Sequence, residues 1–296
     1  VDPEDTPLQS NISSVDVKGT LYEHQTDVLR TAAANANVQG FKAAPRAISP
    51  TTRVGNYTQI SADSFGVSGT LNAVDKAGRR SEEAYQLVKV GAEIKRDIEY
   101  TILSANQGGY AGAFDDPPLT ASLHAWVKTN TDFGAGGANP VWTSGVPSAG
   151  RTDGTTRLAT LDIINTVMLK CKQNGAKPSI LLVDPAMKQK VSTFTASAVA
   201  APHFNQSSKS QTVIIGAADV IVTDFGVLTV VTDLFQRTRD MWFIDPSMIQ
   251  KAVLRPYHKE PLSKQGDSQE VMVLTEWGLK VKNEKGLGLA ADLKVA

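Results

Sequence analysis

The sequence is short of most of what an enzyme or a metal protein uses. Cysteine occurs once, at Cys171, so no intrachain disulfide and no cysteine-rich metal site can form. The four histidines, at 24, 124, 203 and 258, never show the His-x-x-x-His spacing of a helical zinc site. Charge of one sign is not in surplus: 30 Lys plus Arg balance 30 Asp plus Glu, whereas a chain built to grip nucleic acid carries a basic excess. Any contact with DNA is therefore expected to be local and weak. Aliphatic runs such as "SILLV" and "VLTVV" are too short to span a bilayer, and no signal peptide is visible. The remaining composition, 41 % hydrophobic and 20 % charged over 296 residues, suffices for one large or two ordinary cores.

The charges are unevenly placed. Residues 1–30 hold six acids (Asp2, Glu4, Asp5, Asp16, Glu23, Asp27) and two bases, while residues 31–80 hold six bases (Lys42, Arg46, Arg53, Lys76, Arg79, Arg80) and two acids. The split is either solvated charge or a pair of complementary surfaces that meet between copies. Residues 1–80 are rich in Thr, Ser, Asn and Gly. Stretches such as "KGTLYEHQTDVL" and "VGNYTQISADSFGVSGT" alternate with a period near two, so long exposed strands are expected, with a small helical piece near Asp27–Ala34. Unpaired strand edges of that length need a partner.

From residue 81 the pattern changes. Leu87, Gly91, Ile94, Ile98 and Ile102 recur at helical steps over 81–104, Glu82 and Glu83 suit a helix start, and Lys95 can pair with Glu99 one turn on. Residues 105–155 are Gly-, Pro- and Asn-rich, broken by one short element carrying Trp126. Beyond them the signals are compact. A helix over 156–173 carries Leu161, Ile164, Met168 and Cys171 and ends at Gly175. Then come a strand "SILLVD", a helix "PAMKQKVSTFTAS", a hairpin turning at Asp224–Gly226, a strand "RDMWFID" with a short helix "PSMIQKAV", and strands in the tail around a turn at 283–286.

Chemical motifs fail one by one. Asp184 ends a strand, where α/β enzymes often keep a carboxylate, yet "LVDPAMKQKV" (182–191) is echoed by "FIDPSMIQKA" (243–252). A catalytic site has no need of the same motif twice, but helix initiation does: Asp caps orphan N–H groups and Pro fits the first turn. Asp184 and Asp245 are therefore read as caps, and no His or Lys partner is placed beside either. "GVSGT" lacks the last Gly of a nucleophile elbow, and "GAGGAN" lacks the context of a dinucleotide loop or P-loop. "FQRTRD" offers Arg237 and Arg239 for a solvated or inter-subunit charge pair. No catalytic residue, metal or cofactor is expected.

The order of segments resembles the major capsid proteins of tailed bacteriophages, the Hong Kong 97-like fold family. The resemblance is carried by "NYTQI" (56–60), "VSGT" (67–70), "EEAYQLVKVGAEIKRDIE" (82–99), "AWVKTN" (125–130), "TDFG" (223–226), "DPSMIQKAVLRP" (245–256) and "VKNEKGLG" (281–288). It implies an α+β fold with five parts. These are an N-terminal arm (1–15), an extended β-hairpin loop laid across a neighbour (16–65), and the first part of a peripheral domain (66–155, with its spine helix at 81–104 and a loop-rich insertion at 105–155). An axial α/β domain (156–245) and peripheral return strands (246–296) complete it. The resemblance further implies self-assembly into hexamers and pentamers of an icosahedral virion shell built in the host cytoplasm around double-stranded DNA. Portal, scaffolding and decoration proteins would be partners, with no membrane. No scaffolding-type N-terminal segment and no crosslinking triad is identified, so covalent linkage of subunits is not expected. The contact candidates between copies are Asp2, Glu4 and Asp5 against Arg46, Arg53, Arg79 and Arg80. Two alternatives stand beside this reading: an encapsulin-like cellular compartment with the same fold, and a soluble α/β enzyme using Asp184, Asp224 or Asp245.

Overall fold

A computed structural model describes residues 5–45, 47–74, 81–197, 220–264 and 266–295. Its elements in chain order are α1 (Pro7–Asn11), β1 (Ser13–Asp16), β2 (Leu21–Thr26), β3 (Thr52–Tyr57), β4 (Gln59–Ser68), α2 (Gly69–Ala73), α3 (Glu82–Leu103) and α4 (Leu123–Trp126). There follow β5 (Thr131–Asp132), β6 (Val141–Thr143), β7 (Val146–Ala149), β8 (Arg157–Leu158), α5 (Leu161–Gln173), β9 (Ile180–Val183), α6 (Pro185–Ser197), β10 (Val220–Thr223) and β11 (Gly226–Thr232). Last come β12 (Met241–Ile244), β13 (Ile249–Pro261), β14 (Ser268–Val281), β15 (Gly288–Ala290) and β16 (Leu293–Lys294).

The longest helix, α3, forms where the apolar period requires it. Ser81 caps it by accepting from Ala84 N at 3.3 Å, with Glu82 and Glu83 in the first turn. Val90, Ile94, Ile98 and Ile102 are buried along one stripe, each contributing about 1.5–3 kcal/mol by leaving water. Gly91, read as part of that stripe, is only half-buried, and Val90 takes its place. Glu99 does not pair with Lys95: its carboxyl is buried and accepts from the backbone of Leu8 and Gln9.

Two sheets organise the chain. One has the order β1-β13-β14-β4, so its first-made strands flank its last-made ones. The other, β10-β11-β9-β12-β15-β5, is a wall between two cores. Its side chains alternate as a strand's must. Leu182, Trp242, Ile244 and Leu289 face one core together with α3, Trp126 and Trp277. Leu181, Val183, Met241, Phe243 and Ala290 face the other, with Ile164, Val167, Met168 and Cys171 of α5 and Met187 and Val191 of α6.

Four expectations are corrected. Residues 27–34 form no helix; the described residues from 27 to 51 include no helix or strand. After Asp245 there is one 3₁₀ turn (Pro246–Met248) and then strand, not a helix, because Ile249 and Ala252 point into a core while the backbone pairs with β14 and β1. Residues 288–290 join the six-stranded wall beside β12 rather than the sheet of β13 and β14. Finally, much of the first eighty residues satisfies itself at home. β1 pairs with β13 in parallel, β4 pairs with β14 over ten residue pairs, and β2 pairs with β3. Among the described residues, those of 27–51 fit the expectation of a segment without strand partners in its own chain.

Candidate inter-subunit surface

The excursion at 27–51 leaves the body from adjacent strand ends, Thr26 opposite Thr52. Its large apolar side chains face solvent: Leu29 is 93 % exposed, Ile48 91 %, Val38 78 % and Val28 77 %, with Phe41 also exposed. Two limbs of this length reach at most about 40 Å. An apolar segment of this kind raises the energy of an isolated chain and lowers it once another surface covers it.

The root of the excursion is fixed. Tyr22 is buried and its hydroxyl donates to Leu279 O at 2.8 Å. Asn56, fully buried, donates through Nδ2 to Leu279 O (2.8 Å) and Thr120 Oγ1 (3.0 Å), and accepts through Oδ1 from Ala121 N (2.9 Å) and Tyr57 N (2.9 Å). Thr58 Oγ1 donates to Glu276 Oε1 at 2.9 Å. The turn between β6 and β7 presses on β3 so closely that a Cβ on Gly145, whose φ is +82°, would lie 2.2 Å from Arg53 O. A rigid base thus carries an uncovered apolar tip.

Of the charged contact candidates, Asp2, Glu4, Arg46, Arg79 and Arg80 lie outside the described residues. Asp5 is exposed at the start of the described chain, and Arg53 is exposed at the loop root, 3.4 Å from Glu23 of β2. Asp184 Oδ2 accepts from Ala186 N at 2.9 Å at the start of α6, and its carbonyl accepts from Lys188 N. Asp245 Oδ1 accepts from Ser247 N (3.0 Å) and Ser247 Oγ (2.7 Å). Asp224 sits in the β10–β11 turn. Nothing brings these three aspartates together. Among the described residues no group of three or more His, Cys, Asp or Glu is placed to hold a metal, and no helix is long and apolar enough to cross a membrane.

Arg237 and Arg239 have a use that the sequence reading missed. They belong to a charge cluster within one chain, buried at Arg151, Asp240 and Asp292 and open to solvent at Asp153. Arg151, on the loop-rich insertion, is 2 % exposed and holds Asp240 Oδ1 at 2.6 Å, Asp153 Oδ1 at 3.1 Å and Asp292 Oδ1 at 3.3 Å. Arg239 reaches Asp292 Oδ1 at 2.6 Å and Asp153 at 3.3 Å, and Arg237 bonds Asp153 and lies 3.5 Å from Asp240. His124 completes the set: Nε2 donates to Leu103 O at 2.8 Å and Nδ1 accepts from Arg151 Nε at 3.3 Å. Burial and the Arg151 charge push its pKa down to about 3, so the ring is neutral, as both hydrogen bonds require. Burial lifts Asp240 to about 6 against the pull of Arg151 and Arg237. Asp153 and Asp292 are held below the usual carboxylate range: hydrogen bonds and the arginine charges outweigh the burial that raises them. The cluster ties the insertion, the β11–β12 connection and the C-terminal tail together.

Comparison with known proteins gives this geometry a context. A family described as SU10 major capsid protein matches residues 1–294. The major capsid protein of Escherichia phage Phieco32 is 40 % identical over 103 residues, 34 % of this chain and 29 % of the Phieco32 protein. Among solved structures, the capsid of Cyanophage A-1(L) is similar with a TM-score of 0.66 at 10 % identity, covering 98 % of this chain and 93 % of that one. The capsid of the native GTA particle gives 0.63 at 12 %, covering 98 % and 91 %. The SrpI encapsulin of Synechococcus elongatus PCC 7942 gives 0.57 at 8 %, covering 96 % and 86 %. At these identities the likeness concerns the fold alone, and that fold is the α+β, Hong Kong 97-like one the sequence resemblance implied.

Proposed function

This chain belongs to the SU10 major capsid protein family, and on that premise we propose that copies of it assemble as hexamers and pentamers into the icosahedral head of a tailed bacteriophage, around double-stranded DNA. The observation that carries the reading is the apolar excursion at 27–51 on its fixed root. Covering Val28, Leu29, Val38, Phe41 and Ile48 on a neighbour would return about 1.5–3 kcal/mol per side chain, before the cost of ordering. Repeated around a closed shell, such modest contacts multiply. Residues 1–15 serve as the arm and 16–65 as the extended loop. The spine helix within 66–155 and the strands of 246–296 form the peripheral domain, and 156–245 form the axial domain. The chain acts as a structural subunit, not an enzyme. Its balanced charge keeps its grip on packaged DNA weak, and portal, scaffolding and decoration proteins are its further partners.

The charge split supports a second contact, in which Asp2, Glu4 and Asp5 of one copy meet Arg46, Arg53, Arg79 and Arg80 of another. Reversing those four arginines should weaken assembly most at low salt; shells that form equally well at every salt concentration would remove this contact.

The direct test replaces residues 28–48 with a short Gly-Ser linker. The subunit should melt at its normal temperature yet form no shells under negative-stain electron microscopy. Shells built by the shortened chain, or an intact chain that stays monomeric at every concentration, would overturn the proposal. The encapsulin-like alternative shares the fold and is separated by content, since phage heads take up DNA and compartments take up protein.

A further inference from the structure

Among the described residues, no large apolar side chain is more exposed than Phe114. It stands in a loop of the insertion that follows α3, and that loop is pinned. Tyr110 N donates to Leu119 O at 2.8 Å, Leu119 N to Tyr110 O at 3.0 Å, and Ala113 N to Asp116 O at 3.0 Å. Pro117 and Pro118 fix their own φ on the return limb, and a Cβ on Gly112 (φ +84°) would lie 3.1 Å from Pro118 N. Asp115 and Asp116 follow the ring, both exposed. An aromatic side chain held in water by a braced loop, with two carboxylates beside it, has the form of an interface anchor.

The counterpart is a groove between α3 and the paired strands β13 and β14. Its cavity of about 530 Å³ lies within the roughly 300–1,000 Å³ span of pockets that enclose a guest. Leu87, Val88, Ala92, Tyr257 and Val273 give it apolar walls, and Gly91 lines it too. Glycine weakens a helix interior, yet nothing in the chain itself asks for one here: a Cβ would meet no heavy atom within 4 Å. A glycine so placed leaves room for the close approach of a group from elsewhere.

Charge decides between guests. The rim carries Lys95, His258 and Lys259. Lys259 is held by Glu83 and His258 lies 4.0 Å from Glu260, while Lys95 forms no ion pair among the described residues. The apolar residues of 28–51 come with Arg30, Lys42 and Arg46 and no acid, so they bring like charge to Lys95. Phe114 brings Asp115 and Asp116.

We infer that Phe114 of one copy seats in this groove on another, over Gly91, with Asp115 and Asp116 beside Lys95. Knob and groove are different parts of one surface. Each copy therefore offers one and receives one, a head-to-tail contact of the kind that builds rings. The inference rests on the association of copies proposed above and adds a contact that the excursion does not make.

Sedimentation velocity of the full chain over a concentration series, beside thermal melts of dissociated subunits, tests this. Phe114→Ser should leave melting unchanged and raise the concentration needed for association about tenfold or more. Gly91→Leu fills the groove with a better helix former, so the subunit should melt at the same temperature or higher while associating as poorly as Phe114→Ser. Lys95→Glu should weaken association, as should the pair D115K/D116K, and the three changes together should recover most of the loss at low salt. Normal association of Phe114→Ser or Gly91→Leu, with shells from the unaltered chain, would overturn this contact and leave the shell reading in place. So would a triple variant no better than its parents. Oligomers that need Phe114 but never close into shells would support the contact and overturn the shell reading, and an unaltered chain that stays monomeric would overturn both.

Discussion

Arg151 offers the severest test of how the chain is held together. Replacing it with Met keeps most of its volume and removes its charge. Asp292 keeps Arg239 at 2.6 Å and the Gly134 N–H at 3.1 Å. Asp240 keeps Arg237 and the neutral His124 ring, each at 3.5 Å, and stays fully buried. Breaking a buried ion pair from one side costs about 3–5 kcal/mol, because the remaining charge is stranded. R151M should therefore lose about that much stability at pH 8 in urea unfolding of dissociated subunits, followed by tryptophan fluorescence. The pH dependence sharpens the case. Asp240 stands at about 6 in the fold, above its unfolded value, so the native state binds more protons and this group's stability contribution falls as pH rises from about 4 to 6. Without Arg151 its pKa climbs further and that window extends upward. The deficit of R151M should thus shrink toward pH 5.5, and R151M/D240N should recover part of it at pH 8. Work below about pH 5 is avoided, since Asp153 and Asp292, both depressed, begin to lose their own stabilisation there. A loss under ~1 kcal/mol, or one equal at pH 5.5 and pH 8, would refute the reasoning.

Three further outcomes are expected. Asp184→Ala should cost about 1 kcal/mol in the same unfolding assay, and Asp245→Ala less, since it frees only a single 3₁₀ turn. Gly145→Ala should cost about 2 kcal/mol or more, through positive φ and collision with Arg53 O, and should speed exchange of the Gly55 amide that bonds Gly145 O. The Cys171 thiol, buried and pushed up to about 12, should resist Ellman's reagent in native protein and react only at the rate of unfolding.

What could be read from the sequence was whatever is settled within a dozen residues. Ile94, Ile98 and Ile102 announced α3 because one face of one helix buries them. The short apolar runs of β9 and β12 announced the sheet wall. The twin Asp-Pro motifs show where local reading stops. Both aspartates accept from the amide two residues on, yet α6 follows one while a strand follows the other, since Met187 and Val191 pack as a helix face and Ile249 pairs across to Val281. Pairing partners override local preference. The charge cluster was beyond reach for the same reason. Arg237 and Asp153 lie 84 residues apart and Arg151 and Asp292 lie 141 apart, so no spacing rule joins them. The excursion at 27–51 was not delimited by the sequence, which left the whole of 1–80 without partners: β2 and β3 at its root pair with each other, and β1 and β4 beyond them find partners 200 or more residues downstream.

That separation governs when the protein becomes competent during its synthesis. A ribosome releases the excursion early, but the carbonyl that Tyr22 and Asn56 grip belongs to Leu279, and β13 and β14 must fill the gap between β1 and β4. At about 5–20 residues per second, tens of seconds or less separate the two events. Through that interval the nascent chain carries an adhesive tip without a firm base. Polysomes crowded with such chains are where chaperones would be needed most, and a product truncated before Trp277 should stick to its siblings without ever building order.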